Sequence, residues 1–222
     1  MNYLVLIIAF FMAILDWVAV AKKWKRIEYV TKPGTMIALI LWFGMMGGFA
    51  GNTIWFALGL VFSVAGDVFL MLPNERFIAG LISFLLAHIF YIFGFIQTPI
   101  IFGLPALVIG LLLIITSSQI YRRIAVGLVA GGNNKLKIPV LAYTTVITLM
   151  AFTALCTLIN PSWNVLAALS ASAGALLFYL SDTFLAWNKF VNPLPFARLR
   201  TMATYHLGQF LIIIGIYLQY LS

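Results

Sequence analysis

The sequence predicts an all-α protein, a polytopic membrane bundle of about eight transmembrane helices with both termini outside. Three observations carry that expectation. Hydrophobic residues make up 64% of the 222 and charged residues only 8%, against roughly 45–50% and about 25% in soluble globular domains. The chain divides into eight apolar stretches, each near the ~20 residues a bilayer requires. All 13 lysines and arginines fall between alternate stretches, the asymmetry that positive-inside insertion produces.

Span 1, residues 3–21, lacks a basic region before it and is followed by Lys22, Lys23, Lys25 and Arg26. A cleaved signal peptide has the opposite polarity, so this span is expected to be retained. Span 2, 33–50, starts at Pro33 after Lys32 and stops at Gly51–Asn52. Span 3, 53–72, ends in "PNER", which brings Arg76, and span 4, 77–97, ends in "QTP". Span 5, 101–120, holds Gly103, Pro105 and Gly110 and is only mildly broken near one end. Arg122, Arg123, "GGNNK" and Lys137 separate it from span 6, 138–159. "NPSWN" leads into span 7, 164–188, and Lys189, Arg198 and Arg200 precede span 8, 201–221. These breaks are rich in residues that end helices.

No stretch resembles a soluble appendage, so residues 1–222 are expected to form one transmembrane domain. The net charge of +8 records orientation rather than affinity for nucleic acid. Cys156 sits in an apolar run with no second cysteine and is expected to pack there. Trp24, Trp42, Trp55, Trp163 and Trp187 fall near span ends, where aromatic belts lie.

Against this background the acidic residues inside spans stand out. A charge in hydrocarbon costs between about 2.5 and well over 10 kcal/mol, so an intramembrane carboxylate points to function. With ~1.5 Å of rise per residue, Asp67, Asp182, Asp16 and His206 are expected in one layer some 7–9 Å beneath the cytoplasmic surface, with His88 deeper. Helical spacing puts Ser63 with Asp67, Phe178 with Asp182, His88 with Tyr91, and Tyr205 with Gln209 on common faces. Asp16, beside Trp17 and one turn from Lys22 and Lys23, reads as an interfacial anchor or ion-pair partner. Gly66, Gly174 and Ala175 allow close helix approach.

Four motifs in order then carry a resemblance: "SVAGDVFLML" (63–72), "GLISFLLAHIFY" (80–91), "GALLFYLSDTFLAWNKF" (174–190) and "YHLGQFLI" (205–212). Together they resemble the lysoplasmalogenase or YhhN family of integral membrane proteins. The resemblance implies hydrolysis of the vinyl ether bond of lysoplasmalogens, releasing a fatty aldehyde and glycerophosphocholine or glycerophosphoethanolamine. The motif residues it carries over are Asp67, His88, Tyr91, Ser181, Asp182, Tyr205 and Gln209. His206 lies beside the fourth motif without matching a position of it.

The residues suit that chemistry. Protonating the β-carbon of a vinyl ether gives an oxocarbenium ion that water captures. Such a site needs a proton donor, a nearby anion and a positioned water. Two close carboxyl groups tend to hold one proton between them, and oxocarbenium chemistry in glycosidases is flanked by two carboxyls. Asp67, Asp182 and His88 are therefore the expected catalytic residues. Ser63, Tyr91, Ser181, Tyr205, His206 and Gln209 are expected to bind substrate or support them. Arg76, Lys189, Arg198 and Arg200 are candidates to receive the lipid phosphate. The expected partners are a lysophospholipid, membrane lipids and water. No cofactor or metal is expected, since two histidines and scattered aspartates make a weak ligand set. The expected location is a bacterial cytoplasmic membrane, with the site toward the cytoplasmic leaflet. The rival classes are a proton- or cation-coupled transporter, which predicts mid-span helix breaks, and a lipid-binding protein without turnover.

Overall fold

Hydrophobic runs of this length satisfy their backbone polar groups inside hydrocarbon only as helices. A computed structural model describes residues 3–72 and 76–222; the turn expected at Pro73 lies outside the described residues. Among the latter the long elements are eight α-helices: α1 (Tyr3–Lys22), α2 (Lys25–Met45), α3 (Ile54–Met71), α4 (Phe77–Phe95), α5 (Leu104–Ala130), α6 (Lys137–Cys156), α7 (Val165–Phe190) and α8 (Ala197–Tyr220). Short 3₁₀ turns lead into α3 and α6 and follow α6.

Seven of the eight are long and apolar enough to cross a membrane. The exception is α2, 21 residues long, whose first half carries Lys25, Arg26, Glu28 and Lys32. Its start corrects the expected boundary, because Pro33 lies inside the helix. At 27 residues α5 also outruns its span, extending for about 40 Å against a ~30 Å hydrocarbon layer, with Arg122 and Arg123 in its last third. Pro105 stands in its first turn, where the missing N–H costs nothing.

The helices pack as three hairpins, α1 with α2, α3 with α4 and α7 with α8, while α6 bridges α4, α5 and α7. The α7–α8 seam is the most extensive. A Cβ on Gly208 would lie 2.9 Å from the Phe178 amide nitrogen, and one on Gly174 only 2.5 Å from that of Ile212. Small residues let the two backbones touch, as membrane helices use them generally. Asn164 starts α7 by accepting hydrogen bonds from the amides of Leu166 and Ala167, a normal N-cap.

The core runs from Ala9 and Ala13 of α1 through Leu39 and Trp42 of α2, Phe56 and Leu60 of α3 and Phe84 of α4 to Phe178, Ile212 and Ile216 of the last two helices. Two of the tryptophans placed in the belts by sequence belong inside. Trp42 packs on Tyr217, and Trp163 is buried with its indole N–H donating to Thr98. Cys156 is buried and unpaired, as expected.

The basic residues mark one end of the bundle. Arg198 at the start of α8 pairs with Glu28 at the start of α2, and the Lys189 ammonium at the end of α7 lies 4.9 Å from the Phe77 ring at the start of α4. The site lies beneath that end.

Candidate active site

Helix α3 delivers Asp67 and Ser63 to the same neighbour. Gly66 leaves room for the Phe84 ring against the helix, and Asp67 turns into the interior. Its Oδ1 lies 3.0 Å from the Lys32 ammonium, and its Oδ2 accepts a 2.7 Å hydrogen bond from the Tyr205 hydroxyl. One turn away, Ser63 accepts from the Gln209 amide at 2.9 Å, and the Gln209 carbonyl oxygen accepts from Tyr91 at 2.5 Å. The four-residue spacing on α3 thus meets the four-residue spacing on α8, giving two rungs between them. All of these side chains are buried.

A second network lies between α4, α6 and α7. Tyr143 of α6 donates a short hydrogen bond to Asp182. His88 Nε2 sits 3.0 Å from the same hydroxyl and 3.3 Å from Asp182 Oδ2. His88 has no accessible surface, while the Asp182 side chain keeps 16% of its own. Asp182 lies eight residues before the end of α7 at Phe190 and meets His88, which the sequence had placed in a deeper layer.

The two carboxylates do not share hydrogen bonds. Phe178 packs against a partner of each, its ring 4.6 Å from that of His88 and 5.3 Å from that of Tyr205. Asp67 and Asp182 thus belong to two adjoining networks.

A third polar group joins α1, α2 and α8. Asp16 is no interfacial anchor: it is fully buried and accepts a 2.9 Å hydrogen bond from Thr31. His206 Nδ1 accepts from the Trp17 indole N–H at 3.1 Å, which leaves a neutral His206 protonated on Nε2. Lys32 pairs with Asp67 while its chain neighbour Thr31 binds Asp16, so one turn of α2 serves both carboxyl groups. Ser181 stands apart, its hydroxyl donating to the Thr201 carbonyl and tying α7 to α8.

Three spaces connect these groups to the surroundings. At the basic end, a vestibule of about 370 Å³ is lined by Lys25, Glu28, Lys32, Lys189 and Arg198, with Leu70 and Leu185 on its wall. Those two leucines also line a narrow apolar crevice of about 60 Å³ that has Phe84, Tyr143 and Asp182 in its walls. Thr144 joins the crevice to a groove of about 560 Å³ between α5 and α6. Among the described residues no three His, Cys, Asp or Glu side chains gather as a metal-binding set.

Sequence reasoning missed Lys32, Tyr143 and Glu28. Tyr143 had a signal: it lies about two turns from the basic start of its helix, as Asp182 does from the basic end of α7. Lys32 and Glu28 had one too, since Glu28, Thr31, Lys32 and Thr35 follow a helical period and all are buried on one face of α2.

Fold and site together define a multi-pass membrane protein that keeps an acid–base network on the wall of an apolar crevice, beneath a basic vestibule. The chain belongs to the YhhN family, whose profile matches residues 27–216. It is 35% identical over 203 residues to lysoplasmalogenase TMEM86B of Mus musculus, covering 90% of this chain and 79% of that protein. Lysoplasmalogenase TMEM86A of Homo sapiens is 34% identical over 157 residues, 69% of this chain and 61% of its own. A lysoplasmalogenase homolog of Dictyostelium discoideum is 29% identical over 192 residues. No solved structure matches the chain.

Proposed function

We propose that this protein is a lysoplasmalogenase, an intramembrane hydrolase of the vinyl ether bond of lysoplasmalogens. The relatives' names support the reaction, and one observation carries the reading: Asp182, hydrogen-bonded by Tyr143 and beside His88, forms part of the wall of an apolar crevice that meets a basic vestibule. A lysolipid has the matching order of parts, with a phosphate headgroup, a glycerol, the vinyl ether and then an alkenyl chain. The unbroken run of α5 through the bilayer favours this over a carrier, which commonly breaks its helices at the binding site.

Asp182 protonates the β-carbon of the vinyl ether. The C=C π electrons form the new C–H bond, and the positive charge spreads over the α-carbon and the ether oxygen. Water adds to the α-carbon and returns its proton to Asp182, with Tyr143 and His88 holding the carboxylate and water in place. The hemiacetal then breaks its bond from the former α-carbon to the glycerol oxygen, leaving an aldehyde and the glycerophospho-alcohol, with one water consumed. Asp67 is the fixed anion nearby. When the lipid phosphate draws on Lys32, the Asp67 charge is left to stabilise the oxocarbenium ion. Tyr205, Ser63, Tyr91 and Gln209 hold Asp67 and α3 in register, and Ser181 and His206 support the helix packing. The positive-inside bias supports a basic vestibule, and so a site, toward the cytoplasmic leaflet, with both termini on the opposite side.

The test is aldehyde release by purified protein in detergent from lysoplasmenylcholine and lysoplasmenylethanolamine, beside Asp182→Asn and Asp67→Asn. Turnover by the wild type that both substitutions remove, with folding intact, supports the assignment. No aldehyde from either lipid refutes it.

A further inference from the structure

The vestibule sorts its charges in a way that phosphate binding alone does not require. Lys25 at its rim, Lys32 at its floor and Arg198 from α8 supply positive charge, and among the described residues Glu28 is the one acidic residue of the lining. Glu28 is 3% exposed and pairs with Arg198, whose side chain remains 61% exposed. A buried carboxylate opposes an anion. In a pocket meant only for phosphate it would weaken binding, and burying it is expensive unless it meets a cation.

A zwitterionic headgroup resolves this. Its phosphate and ammonium, separated by two carbons, carry the same two charges as the Arg198–Glu28 pair. Entering between them, the phosphate takes Arg198 and the two lysines while the ammonium takes Glu28. Glu28 and Arg198 each exchange one partner of opposite charge for another, so neither is left unpaired. The vestibule volume of about 370 Å³ lies within the ~300–1,000 Å³ of small-ligand pockets.

We propose that the vestibule is a subsite for a zwitterionic lysophospholipid headgroup, with Glu28 binding the ammonium and Lys25, Lys32 and Arg198 the phosphate. This rests on the reading above that the substrate is a lysolipid, and it adds the residues that select among headgroups. It predicts a preference for choline and ethanolamine lysolipids over the bare phosphate monoester.

Binding of ester-linked lysolipids, which have no vinyl ether to cleave, tests this without turnover. Tryptophan fluorescence would follow lysophosphatidylethanolamine, its N-acetylated derivative and lysophosphatidic acid in detergent, with the wild type, Glu28→Gln and Lys25→Gln. N-acetylation removes the ammonium without altering the protein and should weaken binding about tenfold, the loss of one charge-assisted bond. Glu28→Gln should cause a similar loss for lysophosphatidylethanolamine and none for lysophosphatidic acid, while Lys25→Gln weakens both. Equal affinity of the wild type for the native and N-acetylated lipids overturns the proposal, even if Glu28→Gln fails to fold. So does displacement of the lipid by inorganic phosphate as readily as by glycerophosphoethanolamine, which would mark a free-anion site. Headgroup selectivity without aldehyde release would refute the hydrolase reading alone; aldehyde release without selectivity would refute the subsite alone.

Discussion

Replacing Lys32 by methionine removes the ammonium that faces Asp67 while nearly keeping the side-chain volume. The two charged atoms are 3.0 Å apart and both side chains are almost fully buried. At an effective dielectric of about 20, unit charges at this distance attract by about 5 kcal/mol. Removing one partner of a buried pair costs about 3–5 kcal/mol, whereas removing both can be near neutral. Lys32 reaches the vestibule floor, but Asp67 has no accessible surface. Lys32→Met, which strands the carboxylate, should therefore cost more than Asp67→Asn, which strands an ammonium that can turn to water. Unfolding of the wild type, both single variants and the double variant in mixed micelles closes a double-mutant cycle. We expect a loss of about 3 kcal/mol for Lys32→Met, recovery of most of it in Lys32→Met/Asp67→Asn, and a coupling of at least about 2 kcal/mol. Additivity within about 0.5 kcal/mol, the behaviour of independent sites, would refute the claim that this pair anchors the site.

Tyr143→Phe removes the hydroxyl that holds Asp182 and should lower aldehyde release about tenfold. Asp182→Asn should lower it by about 10²–10⁴, the range of general acid–base catalysis; an unchanged rate for either would remove it from the mechanism. Gly208→Ala places a methyl group 2.9 Å from the Gly174 carbonyl oxygen and the Phe178 amide nitrogen and should cost about 1–3 kcal/mol in detergent unfolding. Gly110→Ala, whose methyl would lie 3.4 Å from the Phe152 ring, should be nearly silent beside it. In a Cys156→Ser background, Trp24→Cys and Asn52→Cys should react with an impermeant maleimide from opposite sides of the membrane; labelling from one side would show that α2 does not cross.

Glu28, Lys32 and Asp16 show where reading from sequence stopped. Lys32 and Asp16 were interpreted through their neighbours along the chain, Lys32 as one of a cluster of loop charges and Asp16 as a partner of Lys22 and Lys23, and Glu28 was not singled out. Pro33 looked like a helix start, yet α2 begins at Lys25 and turns Glu28, Thr31, Lys32 and Thr35 inward together. The same local reasoning succeeded for Ser63 with Asp67 and Tyr205 with Gln209. Helical spacing alone puts each pair on one face, and the two faces met.

The sequence by itself determined the helical membrane class, the positions of the spans, the marking of one end by basic residues, and the helix faces that carry polar groups. These follow from properties that add up along the chain: hydropathy over some 20 residues, charge beside it, and a period of 3.6. Only the tertiary structure decided that Asp67 pairs with Lys32 and Asp182 with Tyr143 and His88, and that Phe178 packs against both networks. Those partners depend on how each helix is rotated and tilted against the others. That geometry is set by contacts between distant residues, such as the glycine seam of α7 and α8, and no single segment encodes it.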